Sequence, residues 1–192
     1  MTRAYGIVAL ACAAHLHAAW LDVPFVRQRE NGCGAAAVAM VLQYWNREAD
    51  PEALHRLLYS PLAKGARASA LVRFFEDQRF QTVSFAGGWE DLQEHTGKGR
   101  PLIVALASGA PQAAPPAAAA ARLRPAFGFK PGRTSAAAAL HYVVIAGIES
   151  DIALLNDPAD RKLRKLDRTS FERSWRASGN WTLLAVPGAA GP

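Results

Sequence analysis

Cysteine is scarce in this 192-residue chain, which holds two, Cys12 and Cys33. Two thiols are too few for the disulfide framework of a small secreted scaffold, and too few for a multi-cysteine zinc site. No Gly-x-x-x-x-Gly-Lys-Ser/Thr loop is present, so an ATPase unit is not expected. Beyond the N-terminal stretch, no apolar run is long enough to span a bilayer. Acidic residues are the minority charge: 22 Lys and Arg against 16 Asp and Glu leave a formal net charge of +6. Such a surface suits an anionic neighbour without selecting one, and a solvated basic face is the simpler reading. No nucleic-acid partner is expected. Hydrophobic residues at 51% with 20% charged residues argue against disorder and for one folded domain with a proper core.

Residues 1–19 read as a secretory signal peptide. Arg3 supplies the positive start, Ala4 to Ala14 the apolar centre, and Ala18-Ala19 the small residues for cleavage. His15 and His17 are unusual in such a segment, and a buried N-terminal helix is the alternative. Cleavage would leave residues 20–192 as a single domain in the periplasm or outside the cell. Cys12 would leave with the leader. The remaining thiol, Cys33, then has no partner for an intramolecular disulfide and is inert, intermolecular or reactive.

The stretch Gln28-Arg-Glu-Asn-Gly-Cys-Gly-Ala-Ala-Ala-Val-Ala-Met40 favours the reactive option. Cys33 opens a run that reads as a helix, with Asn31 placed to cap it. A thiol in a first helical turn faces unpaired amides and the positive end of the helix dipole, which favours thiolate. Gly32 and Gly34 flank it and allow close approach of backbone. The alanines that follow let the helix be buried on most sides.

Along the rest of the chain the period changes once. Leu21 to Val26 reads as a short edge strand carrying a proline. Asp50-Pro51-Glu52 is a helix start, with an N-cap and proline at the first helical position. A third helix is expected over Ala68 to Gln78. Strand and helix signals then follow each other: Phe80 to Phe85 strand, Trp89 to His95 short helix, Pro101 to Ala107 apolar strand. An Ala/Pro-rich loop covers about 109–133. Leu140 to Ile148 and Ile152 to Leu155 form a hairpin about Glu149-Ser150-Asp151. Arg161 to Leu166 alternates as an exposed strand, Thr169 opens a helix with Glu172 completing a capping box, and Trp181 to Val186 closes the sheet. Helices first and an antiparallel sheet after them make an α+β fold.

A nucleophilic cysteine needs a base, and the base needs a group to fix its tautomer. His15 and His17 belong to the leader, His55 reads as a solvated residue of an amphipathic helix, and His95 as a helix end. His141 begins a strand and is the remaining candidate. Asp157 ends the next strand, so a hairpin brings it beside His141. Asn156 points to the opposite face, so only one of the two can serve. Asn156-Asp157-Pro158 as a plain turn is the alternative. Gln28 would offer its amide to an oxyanion beside the Cys33 backbone N–H.

Val23-Pro-Phe-Val-Arg-Gln28, Asn31-Gly-Cys33-Gly-Ala-Ala-Ala-Val-Ala-Met40, His141-Tyr-Val-Val-Ile and Asn156-Asp157-Pro158 together resemble the papain-like cysteine peptidases of family C39. These are the bacteriocin-processing peptidases and their stand-alone secreted relatives. The resemblance covers about residues 21–187. It implies a papain-like fold and cleavage of a peptide or protein substrate, with no cofactor or metal. By matching position, Cys33 would be the nucleophile, His141 the base, Asp157 its orienter and Gln28 the oxyanion donor. In the best-known members the cut follows a Gly-Gly pair ending a leader peptide. Two departures stand out: Gly32 where many relatives have Asp, Tyr or Asn, and a Gln28–Cys33 interval one residue shorter than in transporter-linked members. An acyl or amide transferase using the same residues, and a catalytically silent peptide-binding module, remain alternatives.

Overall fold

A computed structural model describes residues 20–107 and 140–188. The signal-like stretch, with Cys12, and the Ala/Pro-rich loop at about 109–133 lie outside the described residues. The chain opens with α1 (Cys33–Tyr44) and α2 (Pro51–Leu58), followed by the small strands β1 (Tyr59–Ser60) and β2 (Gly65–Ala66) and by α3 (Ala68–Asp77). Next come β3 (Phe80–Ala86), α4 (Trp89–Gly97) and β4 (Leu102–Ala107). The C-terminal half holds β5 (Leu140–Glu149), β6 (Ile152–Asn156), β7 (Arg164–Asp167), α5 (Arg168–Arg176) and β8 (Trp181–Pro187). The expected α+β class is therefore the observed one, with N-terminal helices against a C-terminal sheet.

That sheet has six strands in the order β3-β8-β4-β5-β6-β7, every neighbour antiparallel. Alternation along the strands divides the core in two. Tyr142, Val144 and Ala146 of β5 join α1, Leu71 and Phe75 in one cluster. Val143 and Ile145 join Trp89 and Leu92 of α4 and Phe171 and Trp175 of α5 in the other. Because helices cover both faces, all six residues of β4 are buried, which is why its sequence is a continuous apolar run. α1 is buried from Cys33 to Leu42, and its run of alanines is what lets sheet and helices close around it. Among the described residues no helix is long and apolar enough to cross a membrane.

Several local expectations are corrected. Leu21 to Val26 is not a strand, because Pro24 offers no N–H and the segment runs past the sheet without a ladder. It is tied down at separate points instead. The β5–β6 ladder shifts register between Ile145 and Gly147, and Ala146 at that bulge accepts a hydrogen bond from the Leu21 amide at 2.7 Å. Asn31 does not cap α1: it holds φ 56°, the N-cap is Gly32, and no side chain caps the helix. The capping box expected at Thr169 and Glu172 is also absent. Asp167 caps α5 by accepting from the Ser170 amide at 2.9 Å, while Glu172 pairs with Arg168 and Arg176. The exposed strand expected from Arg161 begins only at Arg164. By contrast Asp50 caps α2 as read, accepting from Glu52 N at 2.9 Å. The β1–β2 hairpin was not foreseen, since two residues per strand give no period to detect.

Candidate active site

Cys33 is the first residue of α1 and is 8% exposed, at the edge of a cleft of about 760 Å3 that also takes in Gln28, His141 and Tyr142. No acidic residue stands in the first turn of α1, so nothing opposes the positive helix end. β5 begins beside it. His141 lines the same cleft and acts on the Cys33 thiol electrostatically, and its Nε2 lies 2.7 Å from Asp157 Oδ1. With Nε2 committed to the carboxylate, Nδ1 is the ring nitrogen left for the sulfur.

Strand register explains the second contact. Val144 pairs with Asn156, so continuing the ladder puts Asp157 on the same face as Val143 and His141, one diagonal apart. Asn156 goes the other way, as alternation requires. Fully buried, it donates from Nδ2 to Val23 O at 3.0 Å and accepts at Oδ1 from Leu163 N at 2.9 Å. The two neighbours thus divide the work: Asp157 faces the imidazole, and Asn156 straps the N-terminal segment to the sheet. That strap continues to Gln28, whose backbone N–H donates to Pro158 O at 3.0 Å. Gln28 is half-buried and its Oε1 is buried without a partner, an amide held in the cleft but not consumed by the fold.

Arg164 was missed as a site residue. Its Nη1 lies 2.6 Å from Asp157 Oδ2, while Oδ1 takes His141 and, at 3.0 Å, the Ala159 amide. Both carboxylate oxygens are therefore fixed. Arg164 falls within Arg161 to Leu166, the run expected as an exposed strand. The available signal was parity, because Arg164 shares its side of β7 with the half-buried Leu166. His55 also needs correction. It is half-buried, stacked on Tyr59 with ring centroids 5.2 Å apart, and a Cβ on Gly32 would meet its Nδ1 at 3.2 Å. His95 sits on α4, across the sheet from α1.

Electrostatics couple the three groups. Burial pushes the Cys33 thiol up, but the hydrogen bond and charge of His141, with backbone amides of Tyr142 and Gly34, bring it below its ordinary value. Burial likewise works against the His141 cation. Its hydrogen bonds to Asp157 and Cys33, and their charges, prevail and raise it to about 9. Asp157 is disfavoured as an anion by burial, yet His141, the Ala159 amide and Arg164 hold it down at about 2. Both shifts run in the direction that favours thiolate beside imidazolium over thiol beside imidazole. Tyr142 is pushed up to about 12 by burial and by the Cys33 charge, so it stays neutral. Among the described residues, no three His, Cys, Asp or Glu side chains cluster to hold a metal ion.

Similarity to known proteins agrees with this frame. A solved structure of a C39-like peptidase from Bacillus anthracis superposes with a TM-score of 0.62 at 19% identity, over 88% of this chain and 96% of that one. The peptidase domain of Streptococcus ComA, a bifunctional ABC transporter, gives 0.61 at 18% identity over 86% and 98%. A double-glycine-motif protease from an AMS/PCAT transporter, solved in complex with a leader peptide, gives 0.59 at 19% identity over 88% and 94%. At these identities the likeness concerns the fold. The uncharacterised protein YvpB of Bacillus subtilis (strain 168) is 41% identical over 44 residues, which is 23% of this chain and only 18% of that protein's length. The family model described as "Peptidase_C39 like family" matches residues 20–183, and the chain belongs to that family.

Proposed function

We propose that the chain is a cysteine peptidase in which Cys33 is the nucleophile, His141 the acid and base, Asp157 the group that orients His141, and Gln28 an oxyanion donor. One observation carries the reading: Cys33 at a helix start and His141 line one cleft, and His141 is held by Asp157 at 2.7 Å. In the first half-reaction the Cys33 thiolate adds to the scissile carbonyl carbon, and its oxygen becomes an oxyanion. In this reading the Cys33 N–H and the Gln28 side-chain amide, which shares the cleft, receive that charge. Collapse breaks the C–N bond as His141 passes its proton to the leaving amine, which leaves a thioester and a neutral imidazole. His141 then takes a proton from water, whose oxygen attacks the thioester. The acid product departs and the thiolate–imidazolium pair is restored.

Asp157 keeps His141 in the tautomer and orientation that both halves require. Arg164 and the Ala159 amide in turn prevent the carboxylate from rotating away. That one relative was solved with a leader peptide supports a peptide or precursor protein as substrate. The signal-like residues 1–19 support action in the periplasm or outside the cell, and recovery of a chain starting near Trp20 from a periplasmic extract is the check. Activation is tested by intact-mass labelling with a thiol-reactive peptide electrophile. Cys33 is expected to react faster than a free thiol at pH 7, and His141→Ala to remove that advantage. A rate equal to a free thiol, or indifferent to His141, would refute the catalytic assignment.

A further inference from the structure

Gln28 and Cys33 are joined by a turn rather than by regular structure. Gly32 N donates to Arg29 O at 2.9 Å and closes that turn, and Asn31 at its third position holds φ 56°. Left-handed backbone is uncommon for a residue with a Cβ, and Asn is among the few that adopt it readily. Both ends of the segment are tied down, Gln28 N to Pro158 O and Gly32 O to Ala36 N, each at 3.0 Å. Its middle is not: Glu30 and Asn31 are exposed and make no hydrogen bond among the described residues.

What the turn rests on is α2. Glu52 and His55 lie one helical turn apart and share the face of α2 that meets it. The Glu52 carboxylate pairs with the Arg29 guanidinium. The His55 ring stands against Gly32, where an added Cβ would meet its Nδ1 at 3.2 Å and Arg29 O at 3.1 Å. Gly32 has φ −99°, so its missing side chain serves this close fit and not a left-handed backbone. Tyr59 stacks on the imidazole with centroids 5.2 Å apart and so holds the ring in place. Gln28, Arg29, Gly32, Ala36, Glu52 and His55 line one hollow of about 40 Å3, so α2 backs the glutamine as well as the turn.

We propose that Glu52 and His55 are positioning residues that act through the Arg29–Gly32 turn and fix the Gln28 side-chain amide relative to the Cys33 N–H. The inference rests on the peptidase reading for the role of Gln28. Two small probes separate oxyanion stabilisation from thiolate reactivity. In acylation by p-nitrophenyl acetate the Cys33 thiolate adds to the acetyl carbon through an oxyanion, the C–O bond breaks, and p-nitrophenolate leaves an acetyl thioester. In alkylation by iodoacetamide the thiolate displaces iodide and no oxyanion forms. Losing an oxyanion donor outright costs about 10²–10³-fold, so Glu52→Ala/His55→Ala, which only loosens one, should slow acylation roughly 3–30-fold and alkylation less than about twofold. Gln28→Ala should slow acylation at least as much, and adding the two α2 substitutions to it should slow it no further. Arg29→Glu alone should slow acylation roughly 2–5-fold, the scale of an exposed ion pair, and Glu52→Arg added to it should restore the rate. Unchanged acylation in the α2 variant, equal slowing of both reactions, full further slowing on the Gln28→Ala background, or no rescue by the swapped pair would overturn the inference. Failure of the peptidase reading shows separately, as an alkylation rate of Cys33 that ignores loss of His141.

Discussion

Gly34 offers the most direct test of how the fold serves the thiol. A Cβ built there meets the Cβ of Ala66 at 2.5 Å, and Leu71 and Tyr142 side-chain atoms at 3.4 Å. Carbon atoms rest at roughly 3.5–4.0 Å, so Gly34→Ala requires a separation of about 1 Å or slightly more between α1 and β2. α1 is buried along Cys33–Leu42 and cannot retreat, whereas the β1–β2 hairpin is two residues on each side and largely exposed. The hairpin yields, taking Leu62 and Lys64 with it. Overpacking of this kind costs about 1–3 kcal/mol, or a Tm loss of roughly 3–10 °C for a chain of this size. Cys33 and His141 sit on α1 and β5, so alkylation by a small electrophile such as iodoacetamide should change less than twofold while peptide affinity falls. Ala66→Gly removes the opposing methyl at a cost of about 0.5–1 kcal/mol and should recover most of the stability in the double variant. Thermal melts of the four chains give the coupling. A Gly34→Ala chain as stable as wild type, or no rescue by Ala66→Gly, would refute the packing argument.

The pH profile follows from His141, raised to about 9. The competent pair is thiolate with imidazolium, so kcat/KM should rise as Cys33 ionises below its ordinary value and fall as pH passes about 9, when His141 loses its proton. Asp157 is a principal cause of the raised value; Asp157→Asn should move the alkaline limb to lower pH, and an unmoved limb would exclude that role. Asn156→Leu leaves Val23 O and Leu163 N without their partners in a fully buried setting, at about 1–3 kcal/mol each. Its melt should drop by roughly 5 °C or more, and loosening of the strap to Gln28 should lower kcat/KM further than the labelling rate of Cys33.

Elements with local signals were legible. Asp50-Pro51 announced α2 because a capping carboxylate and a prolyl φ act within one turn. The β5–β6 hairpin was readable from two β-rich runs about a short turn, and a hairpin there brings His141 and Asp157 together. Capping proved less secure. Thr169 and Asp167 both suit an N-cap, and the one whose backbone ended β7 in an extended conformation took the position.

Sequence alone determined the α+β order, the thiol at a helix start, and the pairing of His141 with Asp157 across a hairpin. Each of these depends on residues within a turn or a hairpin of one another. Tertiary structure decided the rest. Whether residues 21–28 pair as a strand depended on the bulge at Ala146 and on Asn156, both more than a hundred residues away. The clamp of Arg164 on Asp157 depended on the register of β6 against β7. The need for glycine at 34 depended on how closely the β1–β2 hairpin approaches α1. Distances between segments far apart in sequence are set by packing and ladder register, and these leave no periodic trace along the chain.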